Sequence, residues 1–147
     1  MRRLYTMLPL ALHWAIAVVA TVIAVSAWQS YSVQSRLIAL GVDIPLPLRL
    51  HTAFGDLVGL APALLPVLGG ALALGFLVAA VLRPRLPMLA AVAYPLAGAA
   101  AVGLALAVMA WQMAITPIAG ARGDLGFAVL CGAGAVGGFV FSRLRTR

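Results

Sequence analysis

Apolar residues fill four stretches of this chain, and polar residues collect between them. The stretches are Leu8–Trp28, Leu48–Leu82, Met88–Met113 and Leu125–Phe141. The gaps are Gln29–Pro47, Arg83–Pro87 and Ala114–Asp124. A membrane-spanning helix needs about 20 mostly apolar residues. The pattern therefore predicts an all-α integral membrane protein. Its single domain, residues 1–147, holds four transmembrane helices at about 8–28, 48–82, 88–113 and 124–142. Short connections favour an antiparallel up-and-down bundle with both termini on one side.

The second stretch is too long for one simple crossing. As a straight helix its 35 residues reach about 52 Å, against a hydrocarbon core of about 30 Å. Pro62 and Pro66 lie inside it, and each removes a backbone donor and can bend or break a helix. The expectation is one long helix that rises above the outer face through His51 and Asp56. It bends near the prolines and crosses from Ala63 to Leu82. An interfacial helix followed by a separate crossing helix is the alternative.

The first stretch begins like a signal peptide, with Met1-Arg2-Arg3 before an apolar run that ends near Ser26-Ala27. The run from Leu8 to Ala27 exceeds the roughly 7–15 residues of a signal core, so a retained helix is expected. Composition agrees with a bilayer as solvent. Hydrophobic residues make up 65% of the chain and charged ones 9%, with mean hydropathy +1.13, and a soluble domain of this size could not cover itself with so few polar groups. The sequence pI of about 11.4 does not signal nucleic acid. No lysine is present, no basic run exceeds two residues, and no polar face carries a basic patch.

Charge adds orientation. All ten basic residues are arginine. Arg2, Arg3, Arg83, Arg85, Arg143, Arg145 and Arg147 fall at segment ends on one side. Arg36, Arg49 and Arg122 fall in the alternate gaps, together with all three acids, Asp43, Asp56 and Asp124. Basic residues concentrate in cytoplasmic loops. The seven-to-three split therefore predicts a bacterial-type inner (plasma) membrane protein with cytoplasmic N- and C-termini. The surplus positive charge faces anionic lipid headgroups. Tyr5, Trp14, Trp28, Tyr31 and Trp111 lie near segment ends, where amphipathic rings settle.

Small residues mark helix contacts. Gly134-xxx-Gly138 lies in the fourth segment, Ala99-xxx-Gly103 in the third and Gly55-xxx-Gly59 in the second. Membrane helices gain little hydrophobic drive toward each other, so close backbone approach matters. Gly55, Gly59, Gly134 and Gly138 are expected to pack helices within the bundle, or to serve dimerisation or docking onto a larger complex. Cys131, the only cysteine, reads as a small buried hydrophobe, and no metal-binding spacing is present.

Candidate chemistry gathers on the outer side. Asp43, Arg49, His51 and Asp56 come from the first gap and the head of the second helix, and Thr116, Arg122 and Asp124 from the third gap. Asp124 can cap the fourth helix at its positive end. An Arg122–Asp56 pair would tie the two hairpins together. One reading is a set of lid-stabilising ion pairs, and the other an outward-facing site for a polar ligand or ion.

His13 and His51 are the two histidines, and a histidine in a membrane segment is a candidate haem ligand, proton relay or pigment ligand. Helix rise places them about 18 Å apart in depth, too far to share one haem within one chain. Met109 and Met113 could in principle join His51. The segments Leu12-His13-Trp14, Leu50-His51-Thr52-Ala53-Phe54-Gly55 and Arg83-Pro84-Arg85-Leu86-Pro87 resemble, in order, parts of bacterial cytochrome b561-type four-helix membrane proteins. That resemblance implies an electron carrier with two b haems that oxidises quinol or superoxide. Only His13 and His51 match its ligands. The third and fourth segments have no histidine, so haem b would need methionine, a second subunit or five-coordinate iron.

No glutamate is present and no phosphate-binding loop follows a strand, so nothing points to a hydrolase or transferase. The leading expectation is a small accessory, assembly or oligomer-forming subunit of a membrane complex, with a protein partner or a second copy of itself. The alternatives are a b561-like haem or pigment carrier and a small transporter or channel subunit.

Overall fold

The computed structural model describes residues 2–85, 88, 91–113, 119–121 and 123–145. It contains four long α-helices: α1 (Arg2–Ala39), α2 (Leu46–Leu82), α3 (Ala93–Met113) and α4 (Asp124–Arg145). A short 3-10 turn, Ala119–Ala121, precedes α4. All four are long and apolar enough to cross a membrane.

The largest departure from the sequence reading is α1. The gap expected over Gln29–Pro47 shrinks to six residues, because α1 continues eleven residues past Trp28. Gly41 ends it. At φ +86° this glycine adopts the left-handed conformation that other residues avoid. Its N–H donates to the carbonyl of Ile38 (2.9 Å), and the Val42 N–H donates to the carbonyl of Leu37 (3.1 Å). This is the Schellman arrangement, which satisfies the last carbonyls of a helix. Pro45 then leads into α2 in extended conformation (φ −63°, ψ 146°), and Pro47 lies in its first turn, where a missing N–H costs nothing.

The alternative of two separate pieces for the second segment is not seen, since α2 is one helix through Pro62 and Pro66. The third helix begins at Ala93 rather than at Met88. Pro95 falls in its first turn, again among the N–H groups that need no partner. The fourth runs three residues beyond the expected end.

The core follows helical spacing. On α2, Leu64, Leu68, Leu72, Phe76 and Ala79 are buried. They meet Ala17, Val18, Val22 and Val25 of α1, Val102 and Leu106 of α3, and Leu130 and Phe141 of α4. Helices α3 and α4 approach most closely. A Cβ added at Gly134 would strike the carbonyl oxygen of Gly98, and one at Gly138 would strike that of Tyr94. Gly137 faces the other way and sits against Thr21 Oγ1 of α1. Three glycines of α4 therefore serve two neighbours. The Gly55-xxx-Gly59 pair does not take part in packing within the chain, because both positions open on empty space.

Candidate functional site

Two polar centres stand out, one at each end of the bundle. The first begins at Trp28 and Gln29. The Trp28 indole Nε1 donates to the carbonyl of Gly120 (3.0 Å), and the Gly120 N–H donates to Gln29 Oε1 (2.6 Å). Both backbone polar groups of Gly120, on the segment before α4, are thus held by adjacent α1 side chains. A side chain at position 120 would press on both, with a Cβ 3.0 Å from Gln29 Oε1 and from Trp28 Cδ1. The sequence reading gave Trp28 an interface role and put Gln29 in a loop. It missed this clamp, because the two residues and Gly120 are far apart in the chain.

Beyond the clamp, α1 and the head of α2 continue as a helical hairpin. Ser30 Oγ donates to Asp56 Oδ2 (2.6 Å), and Gln34 Nε2 donates to the Arg49 carbonyl (3.1 Å). The Arg49 guanidinium turns to the carbonyl of Ile44 (2.8 Å), bracing the connection. Ser30, Gln34, Arg49 and Asp56 therefore lie in its seam. Its outward surface carries large apolar side chains beside the exposed Ser35, Arg36, Asp43, His51 and Thr52: Leu40 is 80% exposed, Leu50 66% and Phe54 69%. Leu46, Leu48 and Val58 are exposed as well.

The seven residues expected to form one outer cluster do not form a single site. Asp56 and Arg49 sit in the α1–α2 seam. Asp124 lies across the other side of α1, where a cavity of about 280 Å³ is lined by Tyr31, Ser32, Ser35, Arg36 and Asp124 among others. His51 and Asp43 are exposed. Thr116 and Arg122 lie outside the described residues, and with them the expected Arg122–Asp56 pair. Arg36, which the sequence reading left out of the cluster, lines the same cavity as Asp124.

The two histidines are farther apart than helix bookkeeping suggested. Asp56 and Arg49 lie against Ser30 and Gln34, so His51 stands level with about residue 33 of α1. His13 is then about 30 Å away along the helix. His13 lines a cavity of about 250 Å³ with Pro9, Leu10 and Arg145. Met109 lines a groove beside Val67, about 24 Å along α2 from His51, and the Met113 side chain lies outside the described residues. Among the described residues, no three of His, Cys, Asp and Glu gather at one point.

The second centre, at the other end, is built around Tyr94, which is buried. Its ring packs edge-on to Phe76 and Phe141, with centroids 5.9 and 5.0 Å away, while those two rings stack at 4.5 Å. The Arg145 guanidinium donates to the Tyr94 hydroxyl. Arg83 and Arg145 also lie 5.9 and 5.5 Å from the ring centroid, within cation–π reach. The end of α2, the start of α3 and the end of α4 therefore meet at one residue. Sequence reasoning gave these arginines to orientation and lipid contact, not to a contact with Tyr94. The single clue was Tyr94, a lone hydroxyl inside an otherwise apolar segment. Comparison with protein-family models, with curated proteins and with solved structures yields no match.

Proposed function

We propose that this chain is a multi-pass inner-membrane protein that works as an accessory subunit, engaging a partner through the hairpin that α1 and α2 raise on the outer side. The bundle is up-and-down and antiparallel in this reading. Contact pairs support it: Trp14 with Gly69 and Ser30 with Asp56 between α1 and α2, and Gly98 with Gly134 and Tyr94 with Gly138 between α3 and α4. Positions rise along one helix as they fall along the next. Both termini then lie with Arg83 and Arg85 on the cytoplasmic side, as the arginine distribution favours. Pro62 and Pro66 leave the carbonyls of Val58 and Pro62 without their helical donors, and any bend of α2 falls there.

One observation carries the functional reading. The ends of α2, α3 and α4 meet at Tyr94, so the extra length of α2 emerges at the other end, beside the part of α1 that runs past Trp28, while the start of α1 continues beyond Arg145, which it meets at Pro9, Leu10 and His13. That extension rises about 16 Å beyond the Trp28–Gly120 clamp. It places Ser30, Gln34, Arg49 and Asp56 in the seam and exposes Leu40, Leu46, Leu48, Leu50 and Phe54. Exposed contiguous apolar surface of this kind marks an interaction site. The exposed Asp43, His51 and Thr52 lie on the same hairpin and supply polar groups beside it.

The test is a photo-crosslinking residue placed at Phe54 in native membranes. A single discrete protein adduct is expected, lost when Leu50→Asp is added while the chain remains folded. Lipid adducts alone, with a monomer that carries no second protein in mild detergent, would remove the accessory-subunit reading.

A further inference from the structure

A long groove runs down the outside of the bundle between α2 and α3. Its upper part, about 630 Å³, is lined by Ala71, Gly75, Ala97, Ala101, Leu104 and Val108 among others. A lower part of about 300 Å³ shares Val78, Ala97 and Ala100 with it and ends at Arg83. Such volumes lie in the range of built small-molecule sites. The sequence makes the groove. At its floor Gly75 lets α2 touch α3, where an added Cβ would come within 2.9 Å of the Ala97 carbonyl oxygen and the Ala101 Cβ. Alanines above that floor are too short to fill the trough. Leu74 and Leu104, both largely exposed, stand as its walls.

Charge decides what fits. The groove is apolar apart from Gln112 in its upper part and Arg83 at its lower end. A second copy seated there by a two-fold axis would present the same patch, bringing Arg83 and Arg85 against their own equivalents. No acid is available to neutralise them, because Asp43, Asp56 and Asp124 all belong to the other end. A lipid with an anionic headgroup meets both requirements. The run from Ala93 to Leu104 rises about 16 Å, close to half of the roughly 30 Å core, which is the depth of one leaflet.

We propose that the α2–α3 groove is a binding site for one anionic phospholipid, with its phosphate on Arg83 and one acyl chain lying over Ala97 and Ala100. The proposal rests on the membrane-spanning reading but not on the hairpin partner. Arg83 supplies selectivity, since basic residues at this boundary attract anionic lipid. The small side chains supply the shape that ordinary annular lipid does not need.

The experiment is native mass spectrometry of the full chain released from nanodiscs of phosphatidylglycerol and phosphatidylcholine in equal amounts. The expected result is one retained phosphatidylglycerol, favoured at least five-fold over phosphatidylcholine. Arg83→Gln should lower that preference at least five-fold, and Arg83→Lys should keep most of it. Ala100→Leu, on the exposed rim of the groove, should reduce retention of the bound lipid by a similar factor without changing the headgroup preference of what remains. Equal retention of both lipids by the unaltered chain would overturn the proposal, as would full retention in Arg83→Gln or Ala100→Leu. A lipid-free dimer would overturn it in favour of a second copy. Failure to enter nanodiscs at all would instead sink the membrane-spanning reading.

Discussion

Gly134, Gly137 and Gly138 show how one turn of helix can set the shape of a bundle. Gly134 and Gly138 admit the backbone of α3, and Gly137 admits Thr21 of α1. Gly138→Ala must push its methyl into the Tyr94 carbonyl, and overpacking of this kind costs about 1–3 kcal/mol. Gly132 has open space around it, so Gly132→Ala is expected to be neutral or to stabilise by about 0.4–1 kcal/mol through the unfolded chain. Unfolding of both variants in detergent, followed by circular dichroism, separates the two outcomes. Gly41 is a different case. Its need is conformational, and Gly41→Ala should cost about 1–2 kcal/mol because a Cβ is strained in the left-handed region. Trp28→Phe keeps the ring but removes the donor to the Gly120 carbonyl. A cost of about 0.5–1.5 kcal/mol is expected, with faster amide exchange around Gly120 as the direct sign.

At the scale of elements, the α1–α2 hairpin is the distinctive feature. The Ser30 hydroxyl is buried against the Asp56 carboxylate. Asp56→Ala would strand it, at about 1–3 kcal/mol for an unsatisfied buried donor. The hairpin should then open before the rest of the bundle, seen as amide exchange that rises over 30–56 while α3 and α4 stay protected. The existence of four apolar helices was legible in hydropathy, and their approximate centres were too. The extension of α1 was not, because Gln29, Ser30, Ser32, Gln34, Ser35 and Arg36 read as a loop. Those polar residues serve the seam, the clamp and the α4-side cavity, and a hydropathy window cannot distinguish a polar helix face from a polar connection. Gly41 was the available signal, placed where a helix running past Trp28 would need its C-terminal glycine. The candidate site was legible only in part. Asp56 and Arg49 were found, but their partners Ser30 and Gln34 lie on a helix that the sequence reading had already ended. The Tyr94 centre escaped notice because Arg83 and Arg145 explain themselves as topology signals until their distances to Tyr94 are known.

In the whole molecule, one end is fixed at Tyr94, the connection at the other is clamped at Gly120, and a hairpin with exposed leucines continues beyond the clamp. The proposed role depends on the hairpin standing outside the bilayer, on the side opposite Arg83 and Arg85. Single-cysteine labelling tests this most directly, in a Cys131→Ala background with a membrane-impermeant maleimide. Asp43→Cys should label in intact cells with only the outer barrier opened, and Arg85→Cys only after the inner membrane is permeabilised. The reverse order, or an Asp43→Cys thiol that stays protected throughout, would contradict the account.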